Sequence, residues 1–220
     1  DVIRGGYALV AEGAKAGAGP LPAGSARVGY DGSAKLDVRI DTSGILLDDF
    51  SDGDVAWGLG DVFGPAWWWM NASEPRDSVF GVGGVEKTIR DSAGLRWMRV
   101  DVVKATSWAN FGLDLGYPEH RLPSIAKISA IRMRARGTGS WSVKLSCYSD
   151  AKTETSSMSG VIVLDDSAWT EVRVPLSSFP SAIPLPNRLR NLVFWTDKPG
   201  TLEIDDVALE GVGLQDWLNP

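Results

Sequence analysis

Hydrophobic and polar residues alternate with a period of two along most of this chain, as expected of β-strands that bury one face. Residues 95–103 place Met98, Val100 and Val102 on one face and Trp97, Arg99 and Asp101 on the other. Residues 107–116 set Phe111, Leu113 and Leu115 against Asn110, Gly112 and Asp114, and residues 128–136 set Ile131, Met133 and Ala135 against Arg132, Arg134 and Arg136. Residues 141–148 oppose Trp141, Val143, Leu145 and Cys147 to Lys144, Ser146 and Tyr148. Further strands are predicted at 160–164, 170–175, 189–196 and 201–210, with Gly, Pro and Asp marking the turns. Helical periodicity is nearly absent, apart from a short turn at 118–126 or 176–179. Many short strands with turn signals between them predict an all-β fold, an antiparallel β-sandwich of the jelly-roll kind, over residues 45–211. Residues 212–220 read as a tail or linker.

The chain has ten tryptophans, three of them consecutive at Trp67, Trp68 and Trp69. Pleating sends Trp67 and Trp69 to one face and Trp68 to the other, so all three cannot enter one core. Large aromatics dominate core energetics, which predicts that most of the ten are core and only about two or three stack on a ligand. Trp195 alternates with Phe194 and is a second candidate for a surface ring.

Composition narrows the function classes. At 220 residues the chain accommodates one large β domain, or one domain and a fragment. A net charge of −6 excludes the Lys/Arg excess on which nucleic-acid binding and polybasic membrane attachment depend. The sequence has neither an apolar run of membrane-spanning length nor an N-terminal charged segment followed by an apolar one. It is expected to be a piece of a larger secreted or cell-surface protein, in contact with other domains of the same polypeptide. The sole cysteine, Cys147, excludes an intrachain disulfide and follows the inward pattern of its strand, which predicts a buried, inert thiol. The sole histidine, His120, lies in the loop-like run 116–123, and no Ser/His/Asp constellation can be built around it.

Residues 1–44 differ in texture. They are rich in Ala and Gly, carry Gly-Pro-Leu-Pro-Ala-Gly at 19–24, and show strand-like runs at 7–11, 26–30 and 35–40. Three short strands make little core alone, so this segment either caps the main domain or ends a preceding β domain. The run Gly-Gly-Tyr-Ala-Leu-Val-Ala-Glu-Gly at 5–13 resembles the last strands of bacterial carboxypeptidase-regulatory-like domains.

Acidic clusters bracket the main domain at 48–54 and 203–210. First and last strands of a sandwich often lie side by side, which would bring these carboxylates together; Ca²⁺ would relieve their repulsion, whereas two solvated turns would not need it. Together with Trp57, the segments Asp48-Asp-Phe-Ser-Asp-Gly-Asp, Phe111-Gly-Leu-Asp-Leu, Ile131-Arg-Met-Arg-Ala-Arg-Gly-Thr-Gly, Trp169-Thr-Glu-Val-Arg-Val-Pro-Leu-Ser-Ser-Phe and Ile204-Asp-Asp-Val-Ala-Leu resemble the galactose-binding-like β-jelly-roll modules, family 11 carbohydrate-binding modules in particular. The resemblance spans roughly 45–211 and rests on the order of several motifs. It implies a non-catalytic appendage of a secreted polysaccharide-degrading protein, with a structural Ca²⁺ held at the positions of Asp49, Asp52 and Asp206, and Asp48 and Asp205 as near alternatives. It also implies a groove for β-glucan or another plant cell-wall polysaccharide across one sheet. This chain departs from the pattern in that its only histidine is in a loop and its strand faces offer Arg and Asp more than Tyr.

The non-core strand positions that would line such a groove are Arg99, Asp101, Asn110, Asp114, Arg132, Arg134, Lys144, Tyr148 and Trp195, with Trp57 or Trp67, Trp68 and Trp69 on its rim. Polar groups would fix the hydroxyls of a neutral β-linked polysaccharide while rings cover its apolar faces. The same Arg/Asp alternation equally fits a lattice of cross-strand ion pairs. Two other functions fit the pattern: a protein-interaction or adhesion module using exposed aromatics, and a jelly-roll glycosidase or lyase in which Asp101 and Asp114 would be the carboxylate pair.

Overall fold

A computed structural model of the chain describes residues 9–12, 26–30, 36–40, 44–56, 67–73, 85–93, 95–105, 107–115, 124–149, 154–180 and 187–213. In chain order the strands are β1 (Leu9–Glu12), β2 (Ala26–Tyr30), β3 (Leu36–Ile40), β4 (Gly44–Asp48), β5 (Trp68–Ala72), β6 (Val85–Ser92) and β7 (Leu95–Val102). There follow β8 (Ala109–Asp114), β9 (Ala130–Gly137), β10 (Trp141–Ser149), β11 (Glu154–Ile162), β12 (Thr170–Pro175), β13 (Asn187–Thr196) and β14 (Gly200–Glu210). Single 3-10 turns lie at Ile125–Lys127 and Leu176–Ser178, close to the two places where the sequence allows a turn of helix.

Strands β1, β2 and β3 form their own sheet, with β1 parallel to β2 and β3 antiparallel to it. The remaining strands form two antiparallel sheets, one ordered β11-β10-β13-β8-β5 and the other β12-β9-β14-β7-β6. Strand β4 joins the second sheet by pairing with the end of β14, so the first and last strands of the main domain are neighbours. The long strand β14 pairs with β7 over Gly200 to Ile204 and with β4 over Val207 to Glu210. It changes neighbour at Asp205 and Asp206.

The inward faces follow the alternation. Met98, Val100, Ile131, Met133, Leu202 and Ile204 from one sheet meet Trp68, Phe111, Leu113, Val143, Leu145 and Phe194 from the other in one core. At its centre Trp68 packs within 5.7 Å of Phe50, 6.1 Å of Phe111 and 6.3 Å of Phe194, ring centre to ring centre. Its indole N–H donates to the buried carboxylate of Asp48 at 2.7 Å, which satisfies the polar edge that a buried Trp carries. Burial nonetheless pushes the Asp48 carboxyl well above the usual carboxylate range. Trp141 is the second buried indole, donating to the carbonyl of Thr138 at 2.9 Å.

Three sequence expectations need correction. Trp68 belongs to the core and cannot touch a ligand, since it is fully buried between the sheets. Of the eight tryptophans among the described residues, only Trp68 and Trp141 are buried, so most of them are not core. The others are half-buried or exposed, and two of them, Trp97 and Trp169, pack beside Arg134 and Arg136. The strand expected at 160–164 is instead Glu154–Ile162; its inward positions include Ser157 and Ser159, which hide the apolar period. Cys147 is buried as expected, and burial pushes its thiol up to about 12, which leaves it protonated and unreactive at neutral pH.

Candidate functional site

The candidate groove residues divide between two outer faces that point away from each other. Arg99, Asp101, Arg132 and Arg134 lie outside the six-stranded sheet, on β7 and β9. Asn110, Asp114, Lys144, Tyr148, Trp195 and Trp69 lie outside the five-stranded sheet. A single groove containing both sets does not exist, because the core separates them.

On the six-stranded face the charges pair with one another. Arg99 holds Asp101 through two hydrogen bonds of 2.8 Å and reaches Glu203 at 3.0 Å. Thr201 donates to Asp101 at 2.8 Å. These bonds, that from Arg99 first, hold the Asp101 carboxyl below the usual range, which suits an ion-pair partner and not a proton donor. Arg132 lies 3.5 Å from Glu171 and 3.6 Å from Glu210, Arg173 bonds Glu210 at 2.7 Å, and Arg136 bonds Glu203. Trp97 and Trp169 meet edge to face at 6.0 Å; Arg136 stacks on both, 4.9 Å from the centre of Trp169, and Arg134 lies 5.3 Å from the same ring. This face is the cross-strand lattice that the Arg/Asp alternation also allowed. Its ion pairs satisfy each other, while the indole N–H of Trp97 and the hydroxyl of Thr88 are buried there without a hydrogen-bond partner among the described residues.

The five-stranded face is different. Register aligns three rows across it: Ser142, Trp195, Asn110 and Asn71; Lys144, Val193, Gly112 and Trp69; and Ser146, Asn191 and Asp114. Trp69 lies over Gly112: a Cβ there would come within 3.1 Å of the Trp69 ring and 2.7 Å of the Leu192 carbonyl oxygen. The missing side chain is what lets the indole lie against the sheet. Trp67, 56% exposed, stands at the end of β5. Arg190 stacks 4.6 Å over the Tyr148 ring, hydrogen-bonds its hydroxyl, and lies 3.6 Å from Asp114. Two amide oxygens, Asn110 Oδ1 and Asn191 Oδ1, are shielded from solvent and have no hydrogen-bond partner among the described residues. An unmet buried acceptor is costly and calls for an explanation.

Sequence reasoning missed Arg190, Asn191 and the role of Gly112. A register shift between Ser146 and Cys147, where β10 meets β13, leaves Arg190 and Asn191 both on the outer face. Its trace in the sequence is the broken alternation of Leu189, Leu192 and Phe194. A lone glycine amid Phe111 and Leu113 was the corresponding signal at 112. The nominated carboxylates Asp101 and Asp114 sit on opposite outer faces and cannot flank one glycosidic bond. Trp57 and His120 lie outside the described residues.

At the junction of β4 with β14, Asp49 comes near Asp205 and Asp206, while the Asp48 side chain turns into the core toward Trp68. Burial, then the charge of Asp206, pushes the Asp205 carboxyl up to about 7, and burial raises Asp206 too; Asp49 adds repulsion to both. Arg134 answers part of this charge, 3.3 Å from Asp205 and 3.7 Å from Asp206. Phe50 and Asp206 both hold left-handed backbone, at φ 55° and 51°, a conformation that non-glycine residues adopt at a cost. Asp49 and Asp52 each accept a hydrogen bond from the backbone two residues on, at 3.0 Å and 3.1 Å. Among the described residues no three carboxylate, imidazole or thiol groups converge as a ligand set. The cluster suits a cation in charge but not in convergence, so no coordination is derived for Asp49, Asp52 and Asp206.

No protein-family model matches the chain, and no curated protein matches it by sequence. Among solved structures, it is similar to the family 11 carbohydrate-binding module of a cellulosomal cellulase of Clostridium thermocellum, with a TM-score of 0.54 and 15% identity over 77% of this chain and 95% of that one. A family 30 carbohydrate-binding module aligns with a TM-score of 0.48 and 17% identity over 66% of this chain and 82% of that one. The Clostridium thermocellum family 11 module in complex with a β-1,3-1,4-mixed-linked tetrasaccharide aligns with a TM-score of 0.46 and 17% identity, covering 76% and 95%. At such identities the first likeness speaks to architecture alone: the main domain of this chain has an antiparallel β-sandwich fold of the jelly-roll kind, like that family 11 module.

Proposed function

We propose that residues 45–211 form a non-catalytic module that binds a β-linked plant cell-wall polysaccharide on the outer face of the five-stranded sheet, as part of a secreted polysaccharide-degrading protein. The observation that carries this reading is Trp69 lying against Gly112, in the row next to Trp195 and Asn110. Indole faces cover the C–H faces of sugar rings, and amides beside them exchange hydrogen bonds with hydroxyls. The oxygens of Asn110 and Asn191 are acceptors on this face that no described protein group satisfies. A family 11 module shares the fold, which supports the reading by analogy.

Affinity electrophoresis through gels carrying β-glucan, xylan or no polymer tests it. Retardation by at least one polysaccharide, with no bond cleavage, is the expected result; equal mobility in every gel would favour a protein-interaction module instead. Arg99→Ala and Arg132→Ala, each measured against its own mobility in the polymer-free gel, should be retarded as much as the wild type, because both side chains belong to the ion-pair lattice on the other face. Loss of retardation in either variant would move the site to that face.

A structural Ca²⁺ near Asp49 and Asp206, with Asp52, Asp48 or Asp205 contributing, is a second proposal. It is supported by the crowding of carboxylates where β4 meets β14 and by the strained backbone at Phe50 and Asp206. An ion that binds only the folded state stabilises it by mass action, so excess chelator should lower the melting temperature by about 5–10 °C if the site is filled about 100-fold above its Kd. An unchanged melting curve in chelator and in added Ca²⁺ would reject the ion.

A further inference from the structure

The two outer faces treat their cations differently. Outside the six-stranded sheet, Arg99, Arg132, Arg134, Arg136 and Arg173 each meet a carboxylate. Outside the five-stranded sheet, Lys144 sits mid-strand on β10, half-buried, and its side chain makes no hydrogen bond or ion pair with any described residue. Its cross-strand neighbours are Met158 and Val193, and its neighbours along the strand on that face are Ser142 and Ser146. None is acidic. Among the described residues, the carboxylates elsewhere on this face are Asp114, which lies beside Arg190, and Glu154, which is across from Tyr148 at the far end of β10. Arg188, opposite Tyr148 on the other side, adds a further positive charge at that end.

A half-buried lysine with no acidic neighbour across either adjacent strand stands out in a chain of net charge −6, and its ammonium is a ready receptor for an anion. Lys144 shares its row with Val193, Gly112 and Trp69, and so lies about 14 Å, three strand spacings, from the start of the indole platform. A glycan a few rings long, lying across the strands on Trp69, would carry its substituents over Lys144.

We propose that the polysaccharide taken by this face bears hexuronic acid groups, and that Lys144 receives their carboxylates. The proposal rests on the polysaccharide reading above and departs from the neutral ligand that the sequence suggested. Trp69 would hold the backbone of the glycan and Lys144 would select its charge.

The test is affinity electrophoresis of the full chain through glucuronoxylan and through the same polymer after chemical reduction of its carboxyl groups. The wild type should bind the intact polymer about tenfold more tightly, the contribution of one charge-assisted hydrogen bond. Lys144→Gln should bring the two affinities together, while Trp69→Ala should weaken both. Equal wild-type affinity for the two polymers, lost in Trp69→Ala, would overturn the role of Lys144 and leave the polysaccharide reading standing. A preference for the intact polymer that survives Lys144→Gln would overturn it as well. Absence of binding to either polymer would also overturn it, and the β-glucan gels would then decide the fate of the broader reading.

Discussion

Trp68→Ala is expected to destabilise the fold by about 3–5 kcal/mol, the cost of deleting a fully buried aromatic ring. In this domain that corresponds to a melting temperature lower by roughly 10 °C or more. Two losses act together. The cavity would open among Phe50, Phe111 and Phe194, of which Phe111 and Phe194 already stack at 4.9 Å and have little freedom to collapse inward. The Asp48 carboxylate would also lose its indole donor and keep only the backbone N–H of Phe50, at 2.8 Å. Trp68→Phe separates the two effects: the ring is largely kept, so the remaining cost of about 1–3 kcal/mol reports the unmet carboxylate. Thermal melts of both variants measure this, and a Trp68→Ala variant as stable as the wild type would contradict the position of the ring.

Trp69→Ala and Trp195→Ala should behave in the opposite way, folding normally and losing ligand. Each is expected to weaken polysaccharide binding by ~1–3 kcal/mol, roughly 5- to 150-fold, by analogy with aromatic stacking on nucleic-acid bases. Neither ring belongs to the buried core, so melting temperatures should change little. Isothermal titration with soluble oligosaccharides measures the loss. If both variants keep wild-type affinity for a glycan that the wild type binds, the stacking platform is elsewhere.

The contrast between adjacent residues 68 and 69 illustrates what was legible in the chain. Strict alternation placed Trp68 and Trp69 on opposite faces, and it correctly oriented Met98, Phe111, Ile131 and Val143 inward. What alternation cannot supply is which sheet a strand joins. Arg99 and Tyr148 both read as outward residues, yet their strands belong to opposite sheets, so one imagined groove became two faces. Pairing across the chain decides this, and no local pattern records it. Bulges were hidden for a related reason: the shift that turns Arg190 and Asn191 to the same side depends on how β13 meets β10. Strand β6 escaped notice because Val85-Glu-Lys-Thr-Ile-Arg-Asp-Ser is an edge strand with only one fully buried residue. The acidic ends were legible as a pair, since β4 does lie beside β14, whereas their geometry as ligands was not.

The central claim, that the outer face of the five-stranded sheet and not the Arg/Trp lattice is the glycan surface, is tested most directly by the indole N–H resonances in a ¹H–¹⁵N spectrum during titration with an oligosaccharide of a polymer that retards the protein. The account predicts that Trp69 and Trp195 shift progressively with ligand while Trp97, Trp169 and the buried Trp68 and Trp141 stay in place. Shifts confined to Trp97 and Trp169, with Trp69 and Trp195 unmoved, would contradict it.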